Sequence, residues 1–202
     1  MLDMDIETLM RKLADEQGLH RPQEFHHAGD LTVAANLVFS SPDPAEWTSC
    51  GNMPHGTHPV HVAVERWQDR ETGRERVEVT MALVPFAEPR AIAEAEFEDA
   101  VDDYQPLGPY LGFLWDSVAM NALRFKGPRP AAFPDLDAFV AHIEAELATL
   151  DADGRARAWV DVTVDERTGS NVLAFPVIAD SAGCYEGRNA DGRLVALLFT
   201  AS

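Results

Sequence analysis

The stretch from Asn171 to Thr200, NVLAFPVIADSAGCYEGRNADGRLVALLFT, narrows the choice of folds more than any other part of this chain. An apolar run from Val172 to Ile178 stops at Asp180-Ser181-Ala182-Gly183, and Cys184-Tyr185-Glu186 restarts the chain. Asn189-Ala190-Asp191-Gly192 then turns it back into the apolar run from Leu194 to Thr200. Gly supplies the positive-φ positions that such turns need, and β-branched and aromatic flanks suit pleated strands. A chain that ends this way is committed to antiparallel pairing.

Earlier stretches repeat the logic. Val60, Val62 and Val64 alternate with His61, Ala63 and Glu65, the two-residue period of a half-buried strand. Residues 68–74 (QDRETGR) make a turn, and Val77, Val79, Met81 and Leu83 alternate on the return. Val160, Val162 and Val164 alternate with Trp159, Asp161 and Thr163 and lead through residues 165–170 into the Asn171 strand. The predicted frame is therefore two hairpin regions, 59–84 and 158–200. Leu31 to Phe39 reads as a further strand after the turn residues Gly29-Asp30. Residues 90–101 also read as a strand, with Ala93, Ala95 and Phe97 alternating with Glu94, Glu96 and Glu98.

Helical spacing occupies the intervals. Ile6, Leu9, Met10 and Leu13 share one face of residues 4–17, with Asp3 or Asp5 as cap and Gly18 as stop. Leu111, Leu114, Trp115, Val118 and Ala122 follow a helical period. So do Leu136, Phe139, Val140, Ile143, Leu147 and Leu150, behind Asp135 or Asp137 and ahead of Gly154. The fold class expected is α+β: a largely antiparallel sheet built from hairpins, with about three helices packed on one face. Residues 1–202 fit a single domain, a helical extension over 1–24 and a β-rich body over 25–202. Gly56-Thr57-His58-Pro59-Val60 and Gly183-Cys184-Tyr185-Glu186-Gly187 each precede a hairpin with an acidic-Gly-Arg turn. Either two related halves or shared turn chemistry explains that echo. Pro/Gly-rich connections fall at 40–56, 104–112 and 126–134, and the first is long enough to be a functional loop.

Charge excludes whole classes of function. A net charge of −18 argues against nucleic acid as a partner, because phosphate contacts need concentrated Lys and Arg. It equally disfavours anionic membranes, and no apolar run approaches the roughly 20 residues that span a bilayer. The acidic start MLDMDIE lacks the cationic and apolar regions of a signal peptide, so a cytoplasmic location is expected. Cys50 and Cys184 are too few for a disulfide scaffold. Such acidity would steer a basic protein partner inward.

Candidate chemistry is sparse. His55, His58 and His61 stand three apart after Cys50, with His26-His27 upstream, and imidazole with thiolate suits zinc. No C-x-x-C or H-E-x-x-H pattern accompanies them, and loop or strand-surface histidines are the competing account. Asp151-Ala152-Asp153-Gly154 resembles only the opening of a calcium loop and reads better as a helix end. No G-x-S-x-G elbow, phosphate loop or G-x-G-x-x-G is present, so no cofactor is expected.

The elements Asn171-Val172-Leu173-Ala174-Phe175, Asp180 to Tyr185 and Asp191 to Leu197 resemble those of the family called domain of unknown function 4241. Pro54 to Val60, Phe113-Leu114-Trp115-Asp116 and Gly29-Asp30-Leu31 are similar to elements of the same family, and the resemblance covers roughly residues 25–200. His58 stands where the family usually has Tyr, Ala179 and Ala182 replace turn glycines, and Glu186 replaces a following Pro. The resemblance implies a single β-rich domain and lends no activity, substrate or cofactor.

Two functions follow as expectations. The first is a binding or regulatory protein of the immunity type, a monomer or weak dimer, that meets a basic partner through Asp180, Tyr185 and Glu186, with Asp116 as a further binding residue. The second is a metal-dependent enzyme or metal-binding protein using Cys50, His55, His58 and His61, with Asp116 and Asp180 nearby.

Overall fold

A computed structural model describes residues 4–21, 23–42, 49–50, 53–100, 105–107, 110–124, 133–166 and 168–201. The elements run α1 (Ile6–Glu16), β1 (Glu24–Val33), β2 (Leu37–Ser40), β3 (Ser49–Cys50), β4 (Gly56–Gln68), β5 (Glu75–Pro85) and α2 (Pro89–Ala93). They continue as β6 (Glu96–Asp99), β7 (Gln105–Pro106), β8 (Leu111–Asp116), α3 (Ser117–Arg124) and α4 (Leu136–Leu147). The last four are β9 (Val160–Asp165), β10 (Ser170–Pro176), β11 (Ser181–Arg188) and β12 (Leu194–Ala201). The fold class is α+β, as expected, but the strands divide between two antiparallel sheets. One has the order β1-β4-β5-β12-β11-β6, with β7 also on β11, and the other has the order β3-β2-β8-β10-β9. No described helix is long and apolar enough to cross a membrane.

The helices cover both outer faces rather than one. Between the sheets lies a core that includes Val60, Val62, Val64, Leu114, Leu173, Phe175 and Phe199. Leu9, Met10 and Leu13 of α1 and Ile92 of α2 pack with Met81, Leu83 and Leu198 on the outside of the larger sheet. Met120 and Leu123 of α3 and Phe139 and Ile143 of α4 cover Phe113 and Trp115 of the smaller one. The result is four layers, helix–sheet–sheet–helix. Capping is as the sequence implied: Asp5 accepts from Thr8 N at 2.8 Å and Asp135 from Ala138 N at 2.8 Å. Leu150, expected on the α4 stripe, lies beyond the helix and is exposed, and Gly154 belongs to the following turn.

Several sequence expectations need correction, each for a physical reason. Leu111–Asp116 is a strand, not a helix. It lies between β2 and β10 and is buried throughout, so it has no polar alternation to distinguish it from a helical stripe. Residues 89–93 form a short helix with Pro at its start, and only Glu96–Asp99 is strand. The strand expected over 31–39 is two strands, one in each sheet, and the first continues back through Gly29-Asp30. In the β4–β5 hairpin Ala63 faces Met81 while Val64 faces Val79, which leaves Thr80 as an extra residue. That bulge moves the apolar set across the sheet: Val79 joins the inter-sheet core, and Met81 and Leu83 join the helix side. The 158–200 region is likewise two hairpins in different sheets, joined by a crossing at residues 177–180. Residues 126–132 of the 126–134 connection, 104 and 108–109 of the 104–112 connection, and 43–48 and 51–52 of the 40–56 connection lie outside the described residues.

Candidate functional site

The stretch expected to present Asp180, Tyr185 and Glu186 on a turn is instead strand β11, hydrogen-bonded between β12 and the short strands β6 and β7. Its side chains alternate between layers. A Cβ on Gly183 would lie 2.9 Å from the Tyr185 hydroxyl, and one on Gly187 would lie 2.8 Å from the Phe97 ring. Both positions are glycine because aromatic rings lie flat on the backbone there. Tyr185 is accordingly half-buried on the helix side of the sheet. Asp180 is exposed at the sheet-to-sheet crossing, and its carbonyl accepts from Leu107 N at 2.9 Å.

Glu186 projects from the opposite face, the one that carries Ala182 and Cys184 into the inter-sheet core. Glu186 faces Glu98 across the strand pair, and Arg188 faces Glu96. Arg188 bonds to the Glu186 carboxylate and donates to Gly192 O at 2.9 Å. Glu94, Glu96, Glu98, Arg188 and the β11–β12 turn enclose a cleft of about 400 Å³, an acidic ledge at the end of the sheet. Arg90 pairs with Glu94 at 3.1 Å, while Glu96 and Glu98 stay exposed. Strand β6 ends the sheet order, so its outer backbone has no strand partner among the described residues. Part of the signal was visible in the sequence: Glu96 and Glu98 share one face of the extended chain, while Glu94 caps the short helix before it.

The histidines do not converge. A three-residue spacing on a strand puts side chains on opposite faces, and β4 carries His58 and His61 in this way. His58 donates to Pro54 O at 2.7 Å and meets Phe86 edge-on, with ring centroids 4.9 Å apart. His61 pairs with His27 of β1, ring centroids 5.3 Å apart, and His27 Nε2 lies 3.1 Å from Asp30 Oδ1. Burial first, and then His27, hold His61 below its usual pKa, against the pull of Asp30. His55 is exposed, and the Cys50 side chain lies outside the described set. Among the described residues no three His, Cys, Asp or Glu side chains form a group able to hold a metal ion.

Asp116 is fully buried. One oxygen accepts from Ala34 N and Ala35 N at 3.0 and 2.8 Å, the other from Val118 N at 2.7 Å. It fixes the bend where the chain leaves one sheet for the other and starts α3, which explains an acid at the end of an apolar strand. Asn171 does similar work between β10 and β1. It donates to Asp30 O at 2.8 Å and Asp161 Oδ1 at 2.7 Å, and accepts from Thr32 N at 2.9 Å. Gly29 sits at this joint with φ 138°, and a Cβ there would come 3.0 Å from Asp161 Oδ2.

Two arrangements escaped sequence reasoning because their members are far apart in the chain. The first is a charge clamp between the sheets. Arg155 grips Glu24 with bonds of 3.1 and 2.6 Å, and Arg66 reaches Glu24 at 3.2 Å, Glu75 at 3.3 Å and Ala156 O at 2.6 Å. Chiefly through the Arg155 bond, Glu24 is held down to about pKa 2. The second is a groove of about 490 Å³ where the β4–β5 hairpin approaches the 176–178 segment. Trp67, Arg76, Tyr110 and Ile178 are among its walls. Searches of family models, curated proteins and solved structures find no match for this chain.

Proposed function

We propose that this chain is a small acidic binding protein, of the regulatory or immunity type, that receives a basic protein partner along the β6–β11 edge in the cytoplasm. It acts as a monomer or weak dimer. The observation that carries the reading is the ledge itself: three glutamates and one arginine line a cleft beside a strand edge that no described strand pairs with. An extended basic segment could add to that edge through backbone hydrogen bonds, with its cations in the cleft. The net charge of −18 would supply long-range steering. Kinship with domain of unknown function 4241 belongs to the same proposal and adds no activity to it.

The test compares two double variants of equal net charge, Glu96→Lys/Glu98→Lys and Asp15→Lys/Glu144→Lys, the latter pair exposed on α1 and α4. Binding of a fluorescent lysine-rich peptide is measured at low and physiological salt. The ledge variant is expected to weaken binding at least about tenfold and the helix variant much less, since only direct contacts outlast screening beyond about 10 Å. Equal losses in both would mean that net charge alone attracts the peptide, and the ledge would cease to be a site.

A further inference from the structure

We propose that the groove between the β4–β5 hairpin and the 176–178 segment is a binding site for a small planar aromatic anion, a flat ring system carrying a carboxylate or phosphate. Its volume of about 490 Å³ lies within the range of small-molecule sites. Of the four exposed large hydrophobic residues among those described, two meet here: Tyr110, 72 % exposed, and Ile178, 54 % exposed. Apolar surface concentrated in one concave place marks a ligand groove more often than scattered side chains do. Trp67 and Tyr110 offer faces for stacking, and Val77 and Ile178 complete an apolar bed.

Tyr110 carries a second sign. It has φ 72°, the one non-glycine residue with positive φ among those described. A bulky side chain there costs roughly 1–2 kcal/mol that glycine would avoid. Burial does not compensate this strain, because the ring stands in solvent. Its backbone is held in place by Val177 N, which donates to Tyr110 O at 3.3 Å. A strained, exposed aromatic on the wall of a groove is what a ligand contact requires and what stability alone would remove.

The sign of the ligand follows from the local charge. In a chain of net −18, residues 69–76 carry as many arginines (70, 74 and 76) as acids (69, 71 and 75). Asp69 shares the groove wall with Arg76, and hydrogen bonds tie down its carboxylate and that of Glu75. Asp69 accepts from Glu71 N at 3.0 Å and Thr72 N at 2.8 Å, and Glu75 accepts from Ala156 N at 2.8 Å and from Arg66. Arg76 lines the groove directly opposite Trp67, and its contact to Asp69 is long, at 3.4 Å through Nε. Its guanidinium is placed to take a carboxylate or phosphate on the ring bedded against Trp67.

Calorimetry with 2-naphthoate and with adenosine monophosphate separates the two anionic groups, while 2-naphthylmethylamine and naphthalene-2-methanol supply cationic and neutral rings. At least one anion is expected to bind at least about tenfold tighter than both controls, and Arg76→Gln to erase that preference. Tyr110→Gly is expected to raise Tm while weakening the anion, a combination that a merely structural tyrosine would not give. The proposal is overturned if neither anion binds at millimolar concentration, if the cation binds as well, or if Tyr110→Gly leaves affinity unchanged.

Discussion

Two pairs of glutamates face each other across neighbouring strands of the same sheet, Glu65 with Glu78 on β4–β5 and Glu98 with Glu186 on β6–β11. Each pair has one arginine on one member, Arg21 on Glu65 at 2.7 Å and Arg188 on Glu186. Like charges directly opposite are destabilising in either place. Their surroundings differ. Glu65 keeps only 8 % of its side chain exposed, and burial first, then Glu65, push the Glu78 carboxyl above its usual pKa, against a hydrogen bond from Ile178 N. At the ledge Glu98 stands in water, which screens the repulsion. The inner pair has its charge absorbed by the fold, whereas at the edge Glu98 keeps its charge available to a partner.

The clamp marks the far end of this scale, where acids and cations are matched and packed. Arg66 keeps 9 % of its side chain exposed and holds Glu24 and Glu75 together. Arg66→Ala is expected to cost about 3 kcal/mol, because it removes a nearly buried cation shared by two partly buried carboxylates and leaves only Arg155 between them. A loss below about 1 kcal/mol in urea unfolding would place the clamp with ordinary surface ion pairs. The same cluster sets an acid limit. Glu24 is folded at about pKa 2 against an ordinary value of 4.5, so the stability it contributes is complete above 4.5 and disappears as pH falls toward 2. The stability gap between wild type and Glu24→Gln should close over that window and be constant above it.

The next effect in size contrasts the two arginines. Arg21→Ala strips the buried Glu65 of its cation and should lower Tm clearly. Arg188→Ala takes the cation from Glu186, which keeps 18 % of its side chain exposed, and should lower Tm less, while making the ledge more acidic and tightening a basic peptide. Equal Tm losses would mean that burial is not what separates the pairs.

What could be read from the sequence was whatever obeyed one period. Val60, Val62 and Val64 alternate without interruption and point into the core as expected. The return strand was misread at Thr80, where one bulged residue exchanges the faces, and no residue type announces a bulge. Leu111–Asp116 was misread because a central strand loses the polar half of its alternation. Gly29, Asp116 and Asn171 all stand where the chain passes, or one sheet is tied, to the other. The groove left no local trace, since Trp67, Tyr110 and Ile178 come from three separate parts of the chain. The ledge did leave one in Glu96 and Glu98, but which strand they would pair with was not legible.

The smallest effect is the sharpest test of the comparison. Glu78→Gln keeps an acceptor for Ile178 N and removes the charge. Because the folded pKa of Glu78 is raised, its ionised form costs stability above the titration range, and the cost is relieved as pH falls toward 4.5. The variant should therefore be more stable than wild type at pH 7. The difference should vanish as pH falls to 4.5, a window above and opposite in sign to that of Glu24. Glu98→Gln, exposed on its strand, should change stability by no more than about 0.3 kcal/mol at pH 7 in physiological salt. Should Glu98→Gln gain as much as Glu78→Gln, repulsion across the strands would matter more than burial, and the ledge would be a strained part of the sheet. If Glu78→Gln is instead less stable at pH 7, the stronger bond that the ionised carboxylate accepts from Ile178 N outweighs the repulsion, and the inner pair is held together by that crossing segment.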